Sequence, residues 1–207
     1  MFDVVVVVMS LLVAYLLGTF PSALLVGRRM GADPSRLGSG NPGTTNVLRT
    51  AGRRAAAITL VGDAGKGAIA ASLGWLAGAV ALGSDGRVSP HTLGVLCGLA
   101  AVVGHVAPAT RRFVGGKGVA TAFGVLMVVF PLLTAFCVVV FGVVLVLGRI
   151  ASLASLAAAV AGPLAAAVVG VPGIELISLV ACAGLVLVRH ADNIRRLARG
   201  QEPRVGV

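Results

Sequence analysis

VVVVVMSLLVAYLLGTFPSALLV, residues 4–26, stays apolar for 23 positions, broken only by Ser10 and the patch Gly18, Thr19, Phe20, Pro21, Ser22. About 20 mostly apolar helical residues cross the ~30 Å hydrocarbon core of a bilayer. The run has no basic n-region and no small-residue cleavage site, so it reads as a span rather than a signal peptide. Six further apolar runs follow, at 55–82, 93–109, 119–130, 132–147, 151–169 and 174–188. The two that flank Pro131 are short. The expected fold is therefore an all-α integral membrane protein, a single polytopic domain over residues 1–207. It has about seven transmembrane helices, or five plus a re-entrant pair if the two segments around Pro131 dip and return.

Composition agrees with that reading and removes its competitors. Of the 207 residues 57% are hydrophobic and only 12% charged, and mean hydropathy is +1.02. A soluble domain carries about 25% charge, so this chain lacks the residues to cover a water-facing surface. Disorder and a disulfide scaffold are excluded as well, the latter because there are only three Cys. Cys97, Cys137 and Cys182 lie singly in apolar runs and read as small core residues. The net charge of +10 does not indicate nucleic acid: the basic residues sit between apolar runs, and aromatics reach only 4%. No convincing internal repeat is present.

Basic residues orient membrane helices, because Lys and Arg are retained in cytoplasmic loops. Arg28, Arg29, Arg36, Arg49, Arg53 and Arg54 fall in the first such loop, Arg111, Arg112 and Lys117 in the next alternate one. Arg149 occupies the one after, and Arg189, Arg195, Arg196, Arg199 and Arg204 the tail. Lys66, in a span, and Arg87, in an outer loop beginning Gly83, Ser84, Asp85, are the exceptions. The N-terminus is thus expected outside and the C-terminus in the cytoplasm.

The polar residues gather in four places. Gly38-Ser39-Gly40-Asn41-Pro42-Gly43-Thr44-Thr45-Asn46-Val47-Leu48-Arg49 combines glycines that free backbone N–H groups, neutral donors and one guanidinium fork. Such a stretch is suited to an anion, although the same residue types also make a plain solvated turn. Both lysines of the chain, Lys66 and Lys117, stand inside Gly-Lys-Gly, in the second case Gly116 and Gly118. With 29 Gly in 207 residues, chance places glycine on both sides of a given Lys about 2% of the time. Neither is a Walker A loop, so phosphate binding is compatible and nucleotide hydrolysis is not. Lys66 lies one helical turn from Asp63, which admits either an internal ion pair or a ligand contact. Ser152 and Ser155 open a helix after Arg149, where hydroxyls can face an anion or merely cap and back-bond. His190 and Asn193 are at i and i+3 beyond the last run. His91 and His105 read as interfacial or packing residues.

Absences narrow the chemistry further. There is no G-x-S-x-G elbow, no His followed five positions later by Asp, and no carboxylate pair to hold Mg²⁺. The expected site is cationic, glycine-rich and without metal or cofactor, at the inner membrane surface.

Four segments carry a resemblance. Ser39 through Arg49 is similar to the first signature of the bacterial acyl-phosphate:glycerol-3-phosphate acyltransferases (the PlsY type). Gly104-His105-Val106-Ala107-Pro108 with Gly115-Gly116-Lys117-Gly118-Val119-Ala120-Thr121 resembles the second, and Arg189-His190-Ala191-Asp192-Asn193-Ile194-Arg195-Arg196-Leu197 the third. Asp63-Ala64-Gly65-Lys66-Gly67 matches in place. Thr44 departs from the family's usual small Ala. The resemblance implies transfer of a fatty acyl group from acyl phosphate to glycerol 3-phosphate, giving lysophosphatidic acid and phosphate, the first step of membrane phospholipid synthesis. It implies a multi-pass enzyme of the bacterial inner membrane with its active site facing the cytoplasm. The resemblance carries over to Ser39, Thr45, Asn46, Arg49, Lys117, His190, Asn193 and Ser155 as active-site positions. Together with the reading of the residues themselves, Ser39, Arg49, Lys117, His190 and Asn193 are expected to be catalytic, and Asn41, Gly43, Thr45, Asn46, Lys66, Gly116, Gly118 and Ser155 to bind substrate or phosphate. Its partners are then acyl phosphate, glycerol 3-phosphate and membrane lipids; no nucleic acid, protein partner, metal or cofactor is expected. Acyl phosphate is already activated, so no covalent intermediate is needed. His190, held by Asn193, and a substrate phosphate oxygen are both candidates for the base. The alternative from another class is a small transporter for an anionic metabolite, disfavoured because the polar motifs cluster at one face.

Overall fold

The structure is a computed structural model that describes residues 2–82 and 88–205, so the outer-loop expectation at 83–87 lies outside the described residues. The described residues form helices and no strand. The chain divides into two compact units, residues 1–129 and 130–207.

The first unit holds α1 (Phe2–Gly18), α2 (Ser22–Arg29), α3 (Thr44–Ala77), α4 (Pro90–Val106) and α5 (Val119–Val129). Pro21 separates α1 from α2, as expected for a residue that lacks an N–H and clashes with the preceding turn. Helix α3 is itself broken: Gly52 adopts φ 84°, ψ 179°, a conformation reserved for glycine, and divides an eight-residue opening segment from the long apolar remainder. A π turn, Gly78–Leu82, continues α3.

Small residues bring these helices into backbone contact. A Cβ at Gly18 would strike the Ala101 carbonyl and one at Gly104 the Tyr15 carbonyl, which locks α1 onto α4. Gly67 against Thr121 and Gly124 against Ala64 do the same for α3 and α5. Lipid tails are as apolar as leucine, so association in a bilayer depends on this close van der Waals approach. The outward faces are correspondingly apolar: Val5, Val8, Leu12 and Leu16 of α1 are all exposed.

The second unit holds α6 (Pro131–Gly148), α7 (Ala151–Val168), α8 (Gly173–Arg189) and α9 (Ala191–Ala198). α6 packs on α7, where a Cβ on Gly162 would sit 3.2 Å from the Cys137 sulfur. α8 and α9 meet at a bend of 60° centred on His190.

Among the described residues five helical segments are long and apolar enough to cross a membrane: Phe2–Arg29, Thr44–Leu82, Pro90–Arg111, Pro131–Gly148 and Ala151–Val168. The bent pair of α8 and α9 makes a sixth if counted as one span. The expected seven is thus not reached by length. The shortfall falls on α5, whose 11 residues reach only about 16 Å at 1.5 Å per residue. Pro131 is the cause, since the residue before a proline is driven out of helix, and Phe130 has φ −141°, ψ 67°. α6, in contrast, is long and apolar enough to cross by itself.

Candidate functional site

The loop between α2 and α3 is built by two side chains. Asp33 accepts from the Ser35 N–H at 3.0 Å and the Ser35 hydroxyl at 2.6 Å through Oδ1, and from Arg28 Nε at 3.0 Å through Oδ2. These bonds, Ser35 first and then Arg28, outweigh its slight desolvation and hold the carboxyl down at about 2. Asn46, on the first turn of α3, is buried and reaches back across the loop. Its Nδ2 donates to the carbonyls of Pro34 at 2.8 Å and Leu37 at 3.0 Å, and its Oδ1 accepts the Ser39 N–H at 3.0 Å. Gly38 is required beneath it, with φ +62° and a Cβ position that collides with Asn46 Oδ1. Asn46 therefore holds the loop in shape, a positioning role the sequence reading did not separate from ligand binding. The loop presents Ser39 exposed, Asn41 half-exposed and the Gly43 carbonyl as the first acceptor of α3, on whose opening segment Thr45 and Arg49 are exposed.

Deeper in the first unit the charged residues are paired. Lys66 Nζ lies 2.9 Å from Asp63 Oδ1 and donates to the Phe20 carbonyl at 2.9 Å. Pro21 disrupts the helix at Phe20, and Lys66 supplies the donor there. Of the two readings of Lys66, the structure shows the internal ion pair. His105 completes the cluster, its Nδ1 3.6 Å from Asp63 Oδ1 and its side chain buried. This corrects the reading of His105 as an interfacial or packing residue. The same histidine supports the second glycine loop. Its carbonyl accepts the Gly116 N–H at 3.1 Å, and a Cβ on Gly116 would collide with its ring Nε2. Gly118, at φ +86°, then turns the chain into α5. Lys117 is half-buried between these two glycines. Tyr15 closes the same corner: its hydroxyl donates to the Ala107 carbonyl and accepts the Ala109 N–H, each at 2.9 Å.

In the second unit, His190 is buried at the α8–α9 bend with Nδ1 2.7 Å from the Val186 carbonyl. A carbonyl only accepts, so Nδ1 carries the proton and Nε2 is the basic nitrogen of the neutral ring. Asn193 is oriented by a residue that the sequence reading missed, Glu202: Asn193 Nδ2 lies 2.5 Å from Glu202 Oε1. Ser152 donates to the same oxygen at 2.7 Å, and Arg196 Nε to Oε2 at 2.6 Å. Burial by itself would raise the Glu202 pKa. The bonds from Ser152, Arg196 and Asn193 and the Arg196 charge outweigh that, holding it below its ordinary 4.5. The Ser155 hydroxyl is turned onto its own helix, donating to the Ala151 carbonyl at 2.9 Å. No local pattern marks Glu202, because its contact with Ser152 spans 50 residues of chain.

Apolar helix faces outside, ionisable side chains paired inside and glycine-turned loops carrying Arg and Lys at helix ends define an integral membrane protein with polar loop sites. The sequence profile described as Glycerol-3-phosphate acyltransferase matches residues 8–200. A glycerol-3-phosphate acyltransferase of Aromatoleum aromaticum is 46% identical over 201 residues, covering 95% of each chain. That of Laribacter hongkongensis is 45% identical over 198 residues, also with 95% of each chain covered. The crystal structure of PlsY (YgiH), an integral membrane glycerol 3-phosphate acyltransferase, superposes in its glycerol 3-phosphate form with a TM-score of 0.86. It is 35% identical, and the match covers 97% of this chain and 96% of that one. Its lysophosphatidic acid form gives a TM-score of 0.83, with 97% and 95% covered. This chain belongs to the glycerol-3-phosphate acyltransferase family. It is an integral membrane acyltransferase, and the transporter reading is set aside.

Proposed function

We propose that the enzyme takes its acyl group from acyl phosphate and releases lysophosphatidic acid and inorganic phosphate. The observation that carries this reading is the loop that Asn46 fastens to α3, with Ser39 exposed on it and Thr45 and Arg49 exposed on the opening segment of α3. Such a segment suits a phosphorylated substrate, since Arg offers a planar fork to phosphate and the Ser39 and Thr45 hydroxyls add neutral donors. The PlsY structures in glycerol 3-phosphate and lysophosphatidic acid forms support it by likeness.

In the reaction a hydroxyl oxygen of glycerol 3-phosphate attacks the acyl carbonyl carbon and forms the ester C–O bond. The carbon–oxygen bond to the phosphoryl group breaks, and phosphate departs with that electron pair. The hydroxyl proton passes either to Nε2 of His190 or to a phosphate oxygen. No residue need form a covalent intermediate, because the mixed anhydride is already activated. What the protein must supply is charge for two phosphates and a fixed approach of hydroxyl to carbonyl. Arg49 and Lys117 provide the cations; Ser39, Asn41, Thr45 and the N–H group of Gly118 provide neutral donors, while Gly43 and Gly116 shape the loops, their N–H groups bonded to the Asn41 and His105 carbonyls. His190, Asn193 and Ser155 are the residues of the second unit that we assign to the same reaction. Lys66, Asp63 and Asn46 support the loops rather than touch ligand.

Purified enzyme incubated with palmitoyl phosphate tests the proposal. Phosphate should be released only when glycerol 3-phosphate is added, and Lys117→Ala should slow that release by on the order of 10²–10³. Release at the same rate without the acceptor contradicts the transfer; activity of Lys117→Ala within about threefold of wild type removes Lys117 from the site.

A further inference from the structure

The C-terminal tail carries one buried carboxylate among its arginines, and three side chains converge on it. Glu202 is buried, and its two oxygens receive Ser152 at the first turn of α7, Asn193 on α9 and Arg196 one turn further. A backbone bond fixes the segment that bears it, Val205 N–H donating to the Arg149 carbonyl at 2.7 Å. The tail is therefore strapped across the start of α7 and the length of α9.

We infer that Glu202 is a positioning residue of the acyl transfer, one that sets which end of the Asn193 amide is turned toward the ligand. An ionised carboxylate can only accept hydrogen bonds. It must meet the NH₂ end of Asn193, because the amide oxygen facing Glu202 would put two acceptors against each other. Asn193 is thereby committed to presenting its carbonyl oxygen on the opposite side. That atom is an acceptor for a hydroxyl and a repulsive neighbour for a phosphate oxygen. The ligand group so recognised is the alcohol of the acceptor substrate, not the phosphate of either substrate. This inference rests on the proposed role of Asn193 in the reaction.

The test is a double-mutant cycle on the full-length enzyme in detergent, with palmitoyl phosphate saturating and glycerol 3-phosphate varied. Glu202→Ala should lower kcat/KM for glycerol 3-phosphate by on the order of 10–100-fold, the scale of a misplaced catalytic contact. Asn193→Ala should lose at least as much, and the double variant should be no worse than Asn193→Ala within about threefold, because Glu202 acts through that amide. Glu202→Gln, which keeps one acceptor oxygen, should fall between wild type and Glu202→Ala; it replaces the alanine variant in the cycle if that variant does not purify folded. Losses that multiply in the double variant overturn the inference and assign Glu202 a separate, structural role. So does a Glu202 variant within threefold of wild type when Asn193→Ala is crippled. Asn193→Ala with wild-type kinetics takes down the underlying role of Asn193 as well, a result distinct from the other two.

Discussion

His190 donates its Nδ1 proton to the Val186 carbonyl at 2.7 Å, which leaves Nε2 as the nitrogen able to accept the proton of an attacking hydroxyl. Catalytic proton transfer by a side chain is worth roughly 10²–10⁴-fold. If His190 is the base, His190→Gln should reduce kcat by a hundredfold or more at unchanged KM and lose the acid limb of the pH profile. If a substrate phosphate takes the proton, the same variant should raise KM and keep an acid limb, because a phosphate's second ionisation lies near pH 6. We expect the second pattern, measured against wild type at saturating glycerol 3-phosphate. Glu202 has its own pH consequence. Its folded pKa lies below its ordinary 4.5, so its contribution is fully present above that value and is lost only as pH falls through the lower one. The tail strap is therefore complete across neutral pH.

Among the elements, the opening segment of α3 shows how a loop is made into a site. Asn46 has an amide because the loop needs two donors and one acceptor from one side chain, for Pro34, Leu37 and Ser39. Asn46→Asp keeps the shape, withdraws both donors and sets a carboxylate against two carbonyls. Buried acceptors left unpaired cost about 1–3 kcal/mol each. Amides of residues 35–40 should then exchange hydrogen faster than in wild type, with activity lost in parallel; unchanged exchange would show that the loop is held by something else. The glycines, hydroxyls and Arg49 of this loop were legible in sequence because they are contiguous. The division of labour within it was not, since Asn41 and Asn46 are the same residue type until one of them is buried. Likewise Asp63 and Lys66 announced themselves as an i, i+3 pair, whereas His105 joins them from another helix, 42 positions along the chain from Asp63. Glu202 was illegible for the same reason. Apolar runs gave α5 to α8 to within a residue at each end, but not the polar start of α3 at Thr44 or the glycine break at Gly52.

For the molecule as a whole, the crossing of the membrane by α5 decides on which side the tail lies. Length alone counts against it, but a segment buried in protein need not match the thickness of lipid. α5 packs against α3 and α4, with Thr121, Gly124, Val125 and Val129 buried. Fifteen of the seventeen basic residues fall on one side only if α5 crosses. We therefore propose that residues 27–54 and the tail share the cytoplasmic side and that the N-terminus is outside. Single cysteines at Ser35 and at Gln201, in a Cys-free background, should both resist an impermeant reagent in intact cells and react after permeabilisation. Labelling of Gln201→Cys alone from outside would mean that α5 does not cross.

We propose that this enzyme moves an acyl group directly from acyl phosphate to glycerol 3-phosphate. The purified protein, given glycerol 3-phosphate with either palmitoyl phosphate or palmitoyl-CoA, can be assayed for lysophosphatidic acid by mass spectrometry. Product formed from palmitoyl phosphate and not from palmitoyl-CoA, with one phosphate released per molecule made, is the expected result. Product from palmitoyl-CoA and none from palmitoyl phosphate would contradict it.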